Sequence, residues 1–507
     1  LNYSKIFDEK HDIYAIAGMQ MESWTSKNVF ARRTDAPKEG LTQVDAGTDG
    51  IMGEGNMNGV RMFSYFGRLN YSFNGKYLFE TNIRADASSR FKKGNRWGVF
   101  PGFSAGWRLS DENFIQDLSL FSNLKLRASW GQLGNQNISG NWPYLTVIDQ
   151  NYNLSYSYNG VLSPGAAATA LIDENITWET TSTLDFGLDV GILDNKLNVE
   201  ADYFQKITRD IIVQLPIPSI MGGLTAPFEN VGEMVNEGFE IAVNYGNNII
   251  QRNSIGYSIG VNLTYVDNEV TKFRGGKSPD QLFLIREGYS YNSLYGYKAV
   301  GIYQTDEEAA EHMYDNSYKP KAGNLKFEDV NKDGKLGFED KQGLGNTIPK
   351  YTFGFNAGLK YMGFDLNILF QGIAGAHLYT QSDLTNLTTD NPSMTTKWRN
   401  AWTIENPDTD IPSIKFDNTW DNSQSSFWVH EISFLKLKNI QLGYNCPEKL
   451  TSQLRVEKIY IYANAQNVFT VVNKGYEGYD PERATFDAGH NFYPIPRILS
   501  VGLNLNF

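Results

Sequence analysis

The chain has 507 residues, a formal net charge of −12 and a sequence pI near 5.1, a balance that disfavours a nucleic-acid partner. Its single cysteine, Cys446, excludes an intrachain disulfide framework and a cysteine-based zinc site. No apolar run approaches the ~18 residues of a spanning helix, and a mean hydropathy of −0.41 excludes a helical membrane protein.

Aromatic content is the anomaly: 30 Phe, 29 Tyr and 10 Trp accompany 47 Gly. That mixture suits many strands joined by tight turns, and it suits the aromatic girdles of an outer-membrane barrel. The opening LNYSKIFDEKHD has neither a basic n-region nor an apolar h-region, so it does not read as a signal peptide. The expectation is that the chain begins in the middle of a larger fold.

Period-two alternation predicts fourteen strands, at 11–23, 60–73, 76–90, 99–110, 122–133, 181–193, 196–213, 235–246, 254–267, 351–362, 364–379, 434–445, 458–470 and 498–507. In KYLFETNIRAD, Tyr77, Phe79, Thr81, Ile83 and Ala85 share one face, and Lys76, Leu78, Glu80, Asn82, Arg84 and Asp86 share the other. TLDFGLDVGI and YTFGFNAGLKY repeat the pattern. Most of these segments reach the ~9–11 residues a tilted strand needs to cross a bilayer.

The connections alternate. Short ones, such as Asn74-Gly75, Asp194-Asn195 and Gly363, take turns with long ones at 24–59, 134–180, 214–234, 268–350, 380–433 and 471–497; only 91–98 is brief in the long series. Short turns at one end and long loops at the other mark an up-and-down transmembrane barrel, with apolar residues toward lipid and polar residues toward the lumen. The last strand, SVGLNLNF, ends on Phe507. If it runs toward the periplasm, every long loop is extracellular, including 268–350.

Several stretches, in order, resemble the SusC/RagA family of TonB-dependent outer-membrane transporters. They are YFGRLNYSFNGKYLFETNIRADASSRF with WGVFPGFSAGWRLSDENF and LKLRASWGQLGNQ; GNLKFEDVNKDGKLGFEDKQGLGNTIPKYTFGFN; and SFLKLKNIQLGYNCP with IYIYANAQNVFT, YEGYDPE and YPIPRILSVGLNLNF. The resemblance implies an all-β fold: the C-terminal ~14 strands of a 22-stranded plugged barrel. The plug, the TonB-interaction segment and the first strands would come from another chain or a missing segment. It also implies a bacterial outer-membrane location of the Bacteroidota type and import energised through TonB. A SusD-like surface lipoprotein would serve as lid, and oligosaccharides or oligopeptides as cargo.

DVNKDGKLGFED, from Asp329 to Asp340, nearly fits a calcium loop. Asp329, Asn331 and Asp333 stand at positions one, three and five, Gly334 allows the sharp turn, Lys335 can offer its carbonyl, and Asp340 takes position twelve. Gly337 at position nine and the short Asp340 place affinity at the weak, extracellular end of the range. With no flanking helices to swing, the role expected of a calcium ion is structural.

Aromatics in the long loops can stack on sugar faces: Trp142, Tyr144, Tyr289, Tyr291, Tyr295, Trp398, Trp402, Trp420 and Trp428. For any one of them, girdle or loop packing is the blander role. Glu80, Arg84, Asp86, Asp185, Asp189 and Lys360 are expected on the lumenal wall.

GFSAG (Gly102–Gly106) matches a hydrolase elbow but lies inside a strand rather than at a strand–turn–helix corner. GEGNMNG (Gly53–Gly59) misses a dinucleotide fingerprint by one residue and reads as loop, and His11, His312, His377, His430 and His490 are scattered. No enzyme is expected. The rival reading is a secreted, calcium-stabilised β-rich protein for glycan binding or adhesion; an outer-membrane barrel enzyme is the third and lacks an acid/base set.

Overall fold

The computed structural model describes residues 1–138, 140–215, 217–247, 254–275, 282–311, 313–314, 319–380, 396–415, 420–474, 476, 480–482 and 495–507. His312, His490 and parts of the connections at 268–350, 380–433 and 471–497 lie outside the described residues.

Among the described residues, fifteen strands form one sheet. They are β1 (Asn2–Phe7), β2 (His11–Thr34), β3 (Asp49–Phe73), β4 (Tyr77–Ser88), β5 (Trp97–Arg108), β6 (Phe121–Asn135), β7 (Glu179–Ile192), β8 (Leu197–Gln214), β9 (Phe228–Asn247), β10 (Gly256–Phe273), β11 (Tyr351–Tyr361), β12 (Phe364–Ala374), β13 (Phe434–Asn445), β14 (Lys458–Val472) and β15 (Ile498–Asn506). Neighbours in the sheet follow chain order throughout, so every connection is up-and-down. No helix among the described residues is long and apolar enough to cross a membrane; the crossing elements are strands.

Turn chemistry sets the tight ends. Asn74-Gly75 (φ 52° and 68°) and Met362-Gly363 (φ 49° and 88°) take the left-handed conformation that tight hairpins require. Short connections close one end of the sheet at 8–10, 74–76, 109–120, 193–196, 248–255, 362–363 and 446–457. The other end carries 35–48, 89–96, 136–178, 215–227, 274–350, 375–433 and 473–497.

The structure departs from the alternation in four places. β1 has no clean apolar face, and all six of its residues are exposed, so its sequence carries no contrast. β2 and β3 continue far past the expected limits and shorten the 24–59 connection to 35–48. Residues 27–33 and 49–57 of this ribbon are exposed on both faces, so nothing there selects an alternating pattern. GEGNMNG therefore lies in β3, not in a loop. The segment expected at 364–379 splits at Gly375 (φ 77°), after which His377–Tyr379 leaves the sheet to pair with Val429–Glu431. In β13, the register shifts between Leu437 and Asn439, which exchanges the parity of the two faces. The run Leu-Lys-Leu-Lys-Asn-Ile-Gln-Leu carries that flip in its sequence.

The chain forms two compact units. The first comprises Leu1–Trp107, Ala128–Leu184 and Ile207–Glu233; the second comprises Arg108–Arg127, Asp185–Lys206 and Met234–Phe507. In the first, Phe91, Phe100, Ile138, Ile176 and Trp178 form a buried cluster at the long-connection end. In the second, the connections 274–350 and 375–433 build a core of their own. One cluster holds Leu294, Tyr379, Trp398, Ala401, Ile411 and Trp428, and another holds Ile302, Leu325, Phe327, Leu336 and Trp420.

Candidate functional site

The two faces of the sheet have opposite chemistry. On β3–β5, one face presents Tyr65, Leu69, Phe79, Ile83, Val99 and Phe103, all more than a third exposed. Aromatic rings bound that band. Phe63, Tyr65 and Trp97 cluster at one end, and Phe73, Tyr77 and Trp107 stack at the other. Along β5 the belts are ten residues apart, from Trp97 to Trp107. At ~3.4 Å per residue and a tilt of ~35–45°, that spans about 24–28 Å across a membrane, close to the ~25 Å apolar band of outer-membrane barrels. Within the second unit, Phe239, Tyr265 and Tyr351 form one aromatic row, and Tyr245 and Tyr257 form another.

The opposite face is ionic. Arg84 binds Asp86 through Nε at 2.8 Å and donates to the Ser64 hydroxyl at 2.9 Å. Arg68 pairs with Glu80. In the second unit, Arg127 bridges Asp189 and Asp202 at 2.8 and 2.9 Å. Asp185 is partly buried on the same strand as Asp189, and Lys360 stays exposed. Of the charges expected on the lumenal wall, Glu80, Arg84, Asp86 and Asp189 are thus held in ion pairs. Lys436, 1% exposed, binds Asp480 and Glu482 at 2.8 Å, and Lys438 shares Glu482 at 2.7 Å, which fastens part of the connection after β14 to β13.

The nine loop aromatics divide. Tyr295, Trp398, Trp420 and Trp428 are buried at 1, 6, 5 and 2% exposure, so they serve as core of the loop region rather than as open stacking faces. Two of the indoles are satisfied locally: Trp420 Nε1 donates to the Leu325 carbonyl at 3.1 Å, and Trp428 Nε1 donates to the Asp421 carbonyl at 3.0 Å. Burial pushes the Tyr295 hydroxyl above its ordinary range. Tyr289, Tyr291 and Trp402 are half-buried; Trp402 Nε1 donates to Gln304 Oε1 at 3.0 Å, and Tyr289 lies near the Arg286 guanidinium. Tyr144 is half-buried with its hydroxyl 3.5 Å from the Ser89 carbonyl, and Trp142 is 42% exposed.

The turn Asp329–Asp340 closes on its own carboxylates. Asp329 accepts from the Lys332 and Gly334 amides, Asp333 from the Lys335 amide, and Asp340 from the Val330, Asn331 and Gly337 amides. Asn331 Oδ1 accepts from the Asp333 amide at 2.9 Å. Lys332 and Gly334 are left-handed, and Leu336 anchors the turn in the loop core. The donor set is all oxygen, which suits a hard cation. Among the described residues, no group of three or more His, Cys, Asp or Glu side chains is gathered into a metal site. GFSAG lies within β5, and His11 spends Nδ1 on the Tyr71 hydroxyl at 2.8 Å.

An apolar, belted face and an ion-paired face on one up-and-down sheet are the two sides of a membrane barrel wall. The family profile described as "TonB dependent receptor-like, beta-barrel" matches residues 2–468. The chain belongs to this family. TonB-dependent receptor P3 of Formosa agariphila is 29% identical over the full length of the chain, which covers 52% of that relative. The TonB-dependent receptor SusC of Bacteroides thetaiotaomicron is 30% identical over 88% of the chain, covering 44% of SusC. The solved RagAB peptide transporter superposes with a TM-score of 0.85 at 25% identity, over all of this chain and 54% of that one. The chain spans about half the length of the curated relatives it matches. The TonB-dependent receptor barrel is thus SusC/RagA-like and belongs in the outer membrane of Bacteroidota. That location excludes the secreted reading, and the relatives are receptors and transporters, not enzymes.

Sequence reasoning missed two groups of residues. The Lys436–Asp480–Glu482 cluster was signalled only by Lys436 and Lys438, two lysines on one face of the strand. Trp24, in β2, faces the same small cavity as Trp142; its one signal was an isolated indole in a polar run.

Proposed function

We propose that this chain is part of the wall of a TonB-energised importer that passes oligosaccharides or oligopeptides across the outer membrane. The observation that carries the reading is the ion-paired face behind a belted, lipid-facing one, which gives a hydrated path beside a membrane-anchored wall. The plug, and through it TonB, belongs to a segment outside this chain or to another polypeptide. The long connections face the cell exterior, where their packed core offers a platform to a SusD-like lipoprotein. Likeness to the RagAB peptide transporter supports import, and no bond in the cargo needs to be made or broken.

The test is uptake of labelled oligosaccharides and peptides by cells producing the full-length protein. Uptake lost on deleting tonB supports the proposal. Uptake that persists without TonB overturns it.

Within this reading, the turn at Asp329–Asp340 takes a structural calcium ion, held by Asp329, Asn331, Asp333, the Lys335 carbonyl and Asp340. Calcium supplies charge neutralisation for three carboxylates in one short turn. Asp333→Ala is expected to speed protease cleavage within 274–350. Excess chelator should do the same to the wild type and nothing more to the variant. Unchanged cleavage on both counts removes calcium from the account.

A further inference from the structure

In the first unit, a cavity of about 300 Å³ is lined by Trp24 and Trp142, with Asn58, Arg61, Thr25 and Ser89 among the polar residues. Its place follows from register. Met21 pairs with Phe63, Phe63 with Ala87, and Ala87 with Trp97, so these residues lie on one level, that of the aromatic belt. Trp24 is three residues beyond Met21, or ~10 Å farther along the ribbon toward the long connections. It shares its face with Gln20, whose side chain accepts from Arg84. The Trp24 indole therefore stands on the ionic, lumenal side, just outside the membrane band.

Neither belt nor core accounts for these two rings. Belt residues occupy the opposite face, and core indoles in this protein are at most 6% exposed, whereas Trp24 and Trp142 are 55 and 42% exposed. The surroundings are nevertheless tied in place. Asn141, next to Trp142, donates through Nδ2 to Asn58 Oδ1 at 2.5 Å. The Arg61 amide donates to Ser89 Oγ at 3.0 Å, and the Ser89 amide returns a bond to the Arg61 carbonyl at 3.0 Å. The two indoles are held at one site by neighbours rather than by packing of their own.

We infer that this cavity is a saccharide subsite at the lumenal mouth, in which Trp24 and Trp142 take the C–H face of a pyranose ring; the inference rests on the import reading above. Exposed indoles offer apolar faces, and the Asn58 and Ser89 side chains supply the mixed donors and acceptors that sugar hydroxyls need. The volume is at the lower end for ligand pockets and suits a single ring of a longer chain. Among the described residues the lining holds no carboxylate to receive a peptide's amino terminus, and Arg61, which alternates with Trp24's partner Val60, is directed to the belt face. That lining favours a neutral sugar over a peptide.

The test uses the full-length transporter in detergent, titrated with hexasaccharides of α-1,4-glucose, β-1,4-xylose and β-1,4-mannuronate, and separately with a tryptic digest of casein. The wild type is expected to bind at least one hexasaccharide with a change in tryptophan fluorescence. Trp24→Ala and Trp142→Ala should each weaken that binding about tenfold, and Trp107→Phe, in the aromatic belt at the opposite end of the strands, should leave it unchanged. Both rings are exposed, so heat-modifiable migration should confirm that the variants fold. Hexasaccharide binding that is unaltered in both variants, or absent from the wild type, overturns the inference. Binding of casein peptides alone, weakened by the same substitutions, also overturns it and makes the cavity a peptide subsite. None of these outcomes touches the import reading, which fails separately if uptake does not need TonB.

Discussion

Strand β4 and the loop segment around Trp428 bury opposite kinds of side chain. In β4, Ile83 is 53% and Phe79 43% exposed, while Asp86 is 7% exposed. In the loops, Trp398, Trp420 and Trp428 are buried, and the charges lie mainly outside. The chemistry of burial is the same in both places, but the solvent differs. The strand puts its apolar face to lipid and its ions to a water-filled interior. The loops stand in water and must gather an apolar core as any soluble domain does. Exposure of a large apolar residue therefore reports which solvent it faces.

The largest effect expected from breaking this comparison is on the loop side. Trp428→Ala removes a buried indole and should cost about 3–5 kcal/mol of local stability. Hydrogen exchange should rise in 293–302 and 425–431, while heat-modifiable migration of the barrel stays as in the wild type. Next comes the wall. Ile83→Arg puts a charge near mid-membrane on the lipid side and should cost about 2–4 kcal/mol, read from urea titration in phospholipid bilayers. Asn82→Arg, one residue away on the hydrated face, should change stability by no more than about 0.5 kcal/mol. Equal effects at 82 and 83 would mean that the faces are wrongly assigned.

The smallest effect concerns the junction of the two regions at Lys436. Burial pushes the Glu482 carboxyl up, but its ion pairs with Lys436 and Lys438 outweigh burial and hold it below its ordinary range. A carboxyl depressed in the folded state contributes stability that is complete above its unfolded value of ~4.3 and is lost as pH falls through the lower, folded value. The 480–482 segment should therefore stay docked at neutral pH and loosen only below about pH 4. Glu482→Gln should abolish that acid window, as read by hydrogen exchange of residues 480–482. Tyr476 nearby, pushed up to about 12 by burial and by Asp480, stays neutral throughout and does not contribute.

Most of the wall was legible because lipid on one side and water on the other impose alternation on each strand. Tyr77 to Asp86 shows this residue by residue, and the parity flip at Lys438 is visible in the sequence. Legibility failed where that contrast vanishes. The distal halves of β2 and β3 meet water on both faces, so SKNVFARR and GIMGEGN carry no period. The loop core failed for a different reason. Leu294, Trp398 and Trp428 meet across more than a hundred residues of chain, and no local pattern encodes such a meeting. Trp428 therefore looked like a candidate for stacking on cargo until its burial was known. Trp142 sat in an expected loop, but its companion Trp24 lay on a strand whose continuation the sequence did not reveal.

The two-residue turn at Met362-Gly363 has a consequence for how such a protein diverges. A single inserted or deleted residue there would shift β11 against β12 and exchange their lipid and water faces along the whole hairpin. At the opposite end, segments can lengthen, shorten or be replaced while every strand keeps its register. Mutational tolerance is thus polarised along the strands. One rim is frozen by hairpin geometry and the other is open to drift, so a lineage can explore new cargo without rebuilding the wall that anchors it.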